Sequence, residues 1–85
     1  MKTIVDKKTA VSIYLFDDDT FVHMGNENIR VGDPVNFYIG DLHSHNAFLH
    51  EDIKDAPKDW VGHKYIYDGT TWKANSDWVD PSKKS

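Results

Sequence analysis

The chain has 85 residues, which is room for one small domain and no more. It contains no cysteine, so disulfides, thiolate metal sites and cysteine nucleophiles are excluded together. Ten basic against fourteen acidic residues leave a net charge of −4, and Arg30 is the sole arginine, so the basic stripe that grips nucleic acid is missing and no nucleic-acid partner is expected.

Residues 2–5 read as a short opening strand, closed by the polar break Asp6-Lys7-Lys8-Thr9. Val11 to Phe16 then alternates, with Val11, Ile13 and Leu15 expected on one face. Tyr14 and Phe16 make the other face apolar too, which predicts a strand covered on both sides. Asp17-Asp18-Asp19 forms an acidic turn before a strand over Thr20 to Met24. Gly25 to Asn28 is the next turn, Ile29-Arg30-Val31 resumes the alternation, and Gly32-Asp33-Pro34 turns the chain into a strand over Val35 to Ile39. Residues 41–62 are the least regular part, with Ala47-Phe48-Leu49-His50 as a short strand and Pro57 blocking a long helix. The pattern sharpens again in His63 to Tyr67, Asp68-Gly69 and Thr70 to Lys73. Asp-Gly between alternating runs signals a hairpin, because both residues tolerate positive φ. Tyr65, Tyr67 and Trp72 are then set to cluster across its strands.

Composition agrees with this strand-and-turn reading. Twelve of the fourteen acids are aspartate, a residue of turns and caps, and glutamine is absent. Eleven aromatics, with many Val, Ile and Thr, suit half-buried pleated surfaces. The expected fold is all-β, a small antiparallel meander forming a β-sandwich or barrel-like domain over residues 1–80, with a mobile tail over 81–85. The longest apolar run, Ile13 to Phe16, is far short of the ~20 residues that span a bilayer, so no membrane partner is expected. Met1 to Asp6 lacks the apolar region of a signal peptide, and synthesis in a cytoplasm is expected.

Several groups of residues suggest chemistry. Asp41, His43 and His45 would project to one side of an extended segment and converge on a divalent transition metal. Their neighbours are loop formers, however, so solvent-exposed histidines are expected and no metal or other cofactor is assigned. The Asp17–Asp19 run lacks the alternate oxygen spacing, glycine bend and terminal bidentate acid of a calcium loop. No nucleophile elbow and no phosphate-binding glycine loop occurs, and nothing singles out an acid–base pair, so the chain is read as non-enzymatic. The aromatics Trp60, Tyr65, Tyr67, Trp72 and Trp78 gather in the last third of the chain. Trp60 and Trp78 lie outside the expected strands and are the better interface candidates.

A recurring frame runs through the sequence: Met1 to Asp6, Val31-Gly32-Asp33-Pro34-Val35, Ile39-Gly40-Asp41-Leu42, Asp59 to Tyr65, Tyr67 to Trp72, and Asn75 to Pro81. It resembles small structural and accessory proteins of tailed phages of marine bacteria, the cyanophage type. The resemblance covers nearly the whole chain, although the Tyr67–Trp72 ending also recurs in unrelated phage tail-associated proteins. In proteins of this look the segment after Gly-Asp-Leu is rich in Asn and Ser. Here it is His43-Ser44-His45-Asn46, which argues against a metal common to the family. The resemblance implies a virion location and a role as capsid decoration or tail-associated component. The expected partners are other virion proteins, major capsid or tail subunits, together with a second copy of the chain, contacted through Trp60, Tyr65, Tyr67, Trp72 and Trp78. The alternatives are a module that binds a glycan or host protein with exposed aromatics, and a small metal-binding domain.

Overall fold

The computed structural model describes residues 1–79. They form eight strands and no helix: β1 (Lys2–Asp6), β2 (Ser12–Phe16), β3 (Val22–Met24), β4 (Ile29–Val31), β5 (Phe37–Ile39), β6 (Ala47–His50), β7 (Tyr65–Tyr67) and β8 (Trp72–Ala74). The all-β class expected from composition is the class observed. The tail expected at 81–85 lies outside the described residues.

The strands do not run as one continuous meander. They make three antiparallel sheets, ordered β2-β1-β6, β3-β4-β5 and β7-β8, and no sheet closes into a barrel. Only β3-β4-β5 is a simple meander. β6 returns from far along the chain to pair with β1 on the side opposite β2. The reason lies in β1 itself, whose central residues Thr3, Ile4 and Val5 are all buried. A strand buried on both faces needs a partner on each edge and a layer on each face.

Those layers are different. On one face, Ile4 and Ala47 meet Ile29, Val31, Ile39 and Leu42 of the meander side, with Tyr14, Phe16, Met24 and Leu49 packed around them. Ile4 is fully buried, a contribution of about 1.5–3 kcal/mol from burial alone. On the other face Val5 packs with Ile53 and Tyr67, and Trp72 covers them. The central sheet thus lies between the meander and the terminal hairpin.

A bulge corrects the expected faces of the second strand. Ile4 pairs with Tyr14 but Val5 pairs with Ser12, which leaves Ile13 as the extra residue. Ile13, Tyr14 and Phe16 therefore pack toward the meander, while Ser12 joins Thr3 on the hairpin side. Both hydroxyls are buried and both are satisfied. Thr3 Oγ1 donates to the Tyr14 carbonyl at 2.7 Å, so Ser12 Oγ donates to Thr3 Oγ1 at 2.6 Å. Trp60 Nε1 then donates to Ser12 Oγ at 2.9 Å, which ties the 57–60 turn to the central sheet.

The terminal hairpin forms where expected, with a different turn. Tyr67 and Trp72 are directly opposed, so four residues, 68–71, connect the strands. Gly69 takes positive φ (104°), but Asp68 does not. Asp68 instead closes the loop with its side chain, Oδ1 accepting from the amides of Thr70 (2.8 Å) and Thr71 (2.7 Å). An aspartate that bonds its own downstream backbone makes a left-handed conformation unnecessary.

Candidate functional site

The strand Ala47-Phe48-Leu49-His50 contains no charged residue, and it stands at an edge. The Lys7 amide donates to the Asn46 carbonyl at 3.0 Å, in register with the β1–β6 pairing, which identifies 3/50, 5/48 and 7/46 as the hydrogen-bonded pairs. Phe48 and His50 thus spend their backbone groups on β1. The amide and carbonyl of Leu49 point the other way, and no strand among the described residues pairs with them.

A cleft opens on each face of this edge. The cleft on the hairpin face, about 240 Å³, is lined by Val5, Asp6, Lys7, Ala10, Phe48, His50, Tyr67 and Asp68. The cleft on the meander face, about 280 Å³, is lined by Lys7, Met24, Ser44, Ala47, Phe48 and Leu49. Phe48 borders both and is 51% exposed, an unusual state for phenylalanine in a domain short of core.

The hairpin-face cleft is aromatic and acidic. His50 sits between rings, 4.7 Å from Phe48 and 5.0 Å, edge to face, from Tyr67 (centroid distances). Partial burial lowers the His50 pKa, against the opposing pull of the Asp68 charge, so the imidazole is neutral at pH 7. Hydrogen bonds from the Thr71 and Thr70 amides, and from the Thr70 hydroxyl, hold the Asp68 carboxyl below the usual range. Burial raises the Tyr67 phenol, whose hydroxyl donates to the Gly69 carbonyl at 3.0 Å. The Lys7 ammonium donates to the Ser44 carbonyl at 2.6 Å, and neither Asp6 nor Asp68 makes an ion pair among the described residues.

The five aromatics expected at an interface do not form one exposed surface. Tyr67 is 7% exposed and is the only one of the five that lines the cleft. Trp72 lies 4.5 Å from Tyr67 with the rings tilted by 33°, and stands edge-on to Tyr65 at 6.3 Å, its indole N–H buried without a partner among the described residues. Trp60 is half-buried and tethered to Ser12. Trp78 is half-buried with the Lys64 ammonium 5.2 Å from its ring, while Asp59 holds both Lys64 and the Tyr65 hydroxyl.

The rings of His43 and His45 lie 5.7 Å apart, edge to face, but Asp41 does not join them in a group that could hold a metal ion. The segment is a turn rather than an extended strand: the His43 carbonyl accepts from the Ala47 amide, and the His43 amide donates to Asn46 Oδ1. Among the described residues no three His, Asp or Glu side chains are grouped to hold a metal ion, which includes the acidic hollow by Asp17, Asp19 and Asp33. Reading the residues in order missed Phe48, His50, Asp6 and Asp68 as a group. The available signal was the uncharged run Ala47 to His50, a strand without the charge or proline that protects an edge. No family model, curated protein or solved structure matches this chain.

Proposed function

We propose that this chain is a non-enzymatic structural protein of a tailed-phage particle, and that it docks on other virion subunits by accepting a strand at the β6 edge. The observation that carries the docking mode is the open edge at Leu49 with a cleft on each of its faces. Strand addition takes affinity from main-chain hydrogen bonds and selectivity from pockets that receive alternate side chains, and this edge offers both. The virion setting rests on the sequence frame that resembles phage accessory proteins. A small cysteine-free domain also gains stability from any partner that binds only its folded state.

The glycan reading needs a flat exposed row of aromatics, whereas Tyr67 and Trp72 are packed on each other. Two measurements test the proposal. Mass spectrometry of purified particles should detect this polypeptide, and its absence would remove the virion setting. Hydrogen exchange should show the Leu49 amide exchanging freely in the isolated protein and at least about tenfold slower once docked. An unprotected Leu49 in the docked state would rule out strand addition.

A further inference from the structure

Building on strand addition at β6, we infer that the incoming segment carries a basic side chain, best an arginine, flanked on either side by aliphatic residues. Successive side chains of an extended chain project to opposite faces of a sheet. A strand laid beside Leu49 therefore sends one residue over the hairpin face and its two neighbours over the meander face.

The two receiving surfaces differ in chemistry. Met24, Ala47 and Leu49 give the meander-face cleft an apolar floor, which suits aliphatic side chains. Asp68 supplies the available carboxylate of the hairpin-face cleft, since Asp6 pairs with Ala47 of the meander face and its Oδ2 accepts from the Thr9 hydroxyl at 2.8 Å. Lys7, the cation among the lining residues, donates to the Ser44 carbonyl at 2.6 Å. Asp68 uses one carboxylate oxygen, Oδ1, for the turn, and its Oδ2 has no partner among the described residues. His50 is neutral and its ring nitrogens make no hydrogen bond among the described residues, so it can accept one. The exposed ring of Phe48 completes the site with a surface for a planar cation. Guanidinium meets all three features: it stacks on aromatic rings, and it donates in a fork to carboxylate and imidazole. An acidic side chain in the same place would face the Asp68 carboxylate across an imidazole that carries no charge to offset it.

The test uses two nine-residue peptides of alternating threonine and valine, Thr-Val-Thr-Val-X-Val-Thr-Val-Thr, with X either arginine or glutamate. Each is titrated into the full-length protein while amide resonances are followed. The arginine peptide should bind at least about tenfold tighter than the glutamate peptide, slow exchange at the Leu49 amide and shift the His50 ring signals. In Asp68→Asn, which keeps an oxygen for the turn amides, most of that preference should vanish. Equal affinity of the two peptides, with Leu49 protected by both, would overturn the basic-residue inference and leave strand addition standing. Failure of both peptides to protect Leu49 would overturn the two together. Retention of the full preference in Asp68→Asn would overturn the role given to that carboxylate.

Discussion

The two edges of the central sheet are built from the same kind of residue and treated in opposite ways. Along β2, the Ser12 carbonyl accepts from the His63 amide at 2.8 Å, the Ala10 carbonyl accepts from the Tyr67 amide at 2.9 Å, and Val11 bridges to Ile66. A would-be side chain on Gly62 would already meet the Ile13 carbonyl at 3.0 Å, so the covering chain lies close against that edge. Along β6 the outward groups of Leu49 meet no strand. The chain covers one edge with its own C-terminal third and leaves the other open, with no lysine, proline or bulge in β6 to block pairing. Natural sheets usually protect such an edge, and an unprotected one leaves its backbone groups open to pairing with another chain.

If that contrast is right, damage at the covered edge should cost stability, and damage at the open edge should cost docking. The largest effect belongs to Tyr67→Ala. Tyr67 is the buried side chain through which the hairpin grips Val5 and Ile53, and truncating a buried aromatic costs about 3–5 kcal/mol. At roughly 4–8 °C per kcal/mol for a domain of this size, melting followed by circular dichroism should fall by well over 10 °C. A loss of only a degree or two would mean that the hairpin is not what closes this side.

Ser12→Ala comes next. It removes the hydroxyl that links Trp60 Nε1 to Thr3 and leaves the indole N–H without its partner, at a cost of about 1–3 kcal/mol. Trp60 fluorescence should change with it, since the 57–60 turn would lose its tether. Unchanged stability and emission would show that backbone bonds alone hold the covered edge.

The third effect is a pH dependence seated between the two regions. Burial lowers the pKa of His50 in the folded state, so the folded protein disfavours the imidazolium relative to the unfolded chain. The unfolded state then binds more protons, and stability is complete above the ordinary histidine value of about 6.5 and falls as pH drops through the depressed folded value. Melting temperature measured between pH 7.5 and 5 should decline, and His50→Phe should flatten the part of that decline that His50 supplies. A slope unchanged by the substitution would reassign it to other groups. Protonated His50 also adds a positive charge to the cleft, so binding of the arginine peptide should weaken over the same interval.

Much of the covered side was legible in the residue pattern, and little of the open side was. The Tyr67–Trp72 hairpin could be read because Asp68-Gly69 and the alternating aromatics act over a few residues. Periodicity also predicted apolar residues on both faces of the second strand, whereas Ile13, Tyr14 and Phe16 all pack on the meander side. It could not announce the bulge at Ile13, which depends on register against β1. Nor could it place β6 beside β1, because pairing across more than forty residues is set by which buried strand lacks a partner. The cleft inherits that difficulty, since Asp6, Phe48, His50 and Asp68 meet only after β6 has crossed back and the hairpin has folded over. The turn at 43–47 brings the His43 and His45 rings to 5.7 Å from each other without Asp41, because spacing of two predicts a three-residue convergence only in an extended segment.

Phe48→Thr is the smallest expected change in stability and the sharpest test of the contrast. The side chain is about half exposed, threonine keeps the β-branched preference for a strand, and the backbone of residue 48 stays paired with Val5. Stability should therefore remain within about 0.5 kcal/mol, as for surface substitutions generally. Docking should suffer, because Phe48 is the wall shared by both clefts and the ring on which the incoming cation stacks. The arginine peptide should lose about tenfold in affinity with melting temperature nearly unchanged. If the variant instead melts as far below the wild type as Ser12→Ala does, Phe48 belongs to the core and the open edge is an ordinary surface. If stability and affinity both hold, the partner meets the β6 backbone without using the ring, and selectivity lies with Asp68 and His50 alone.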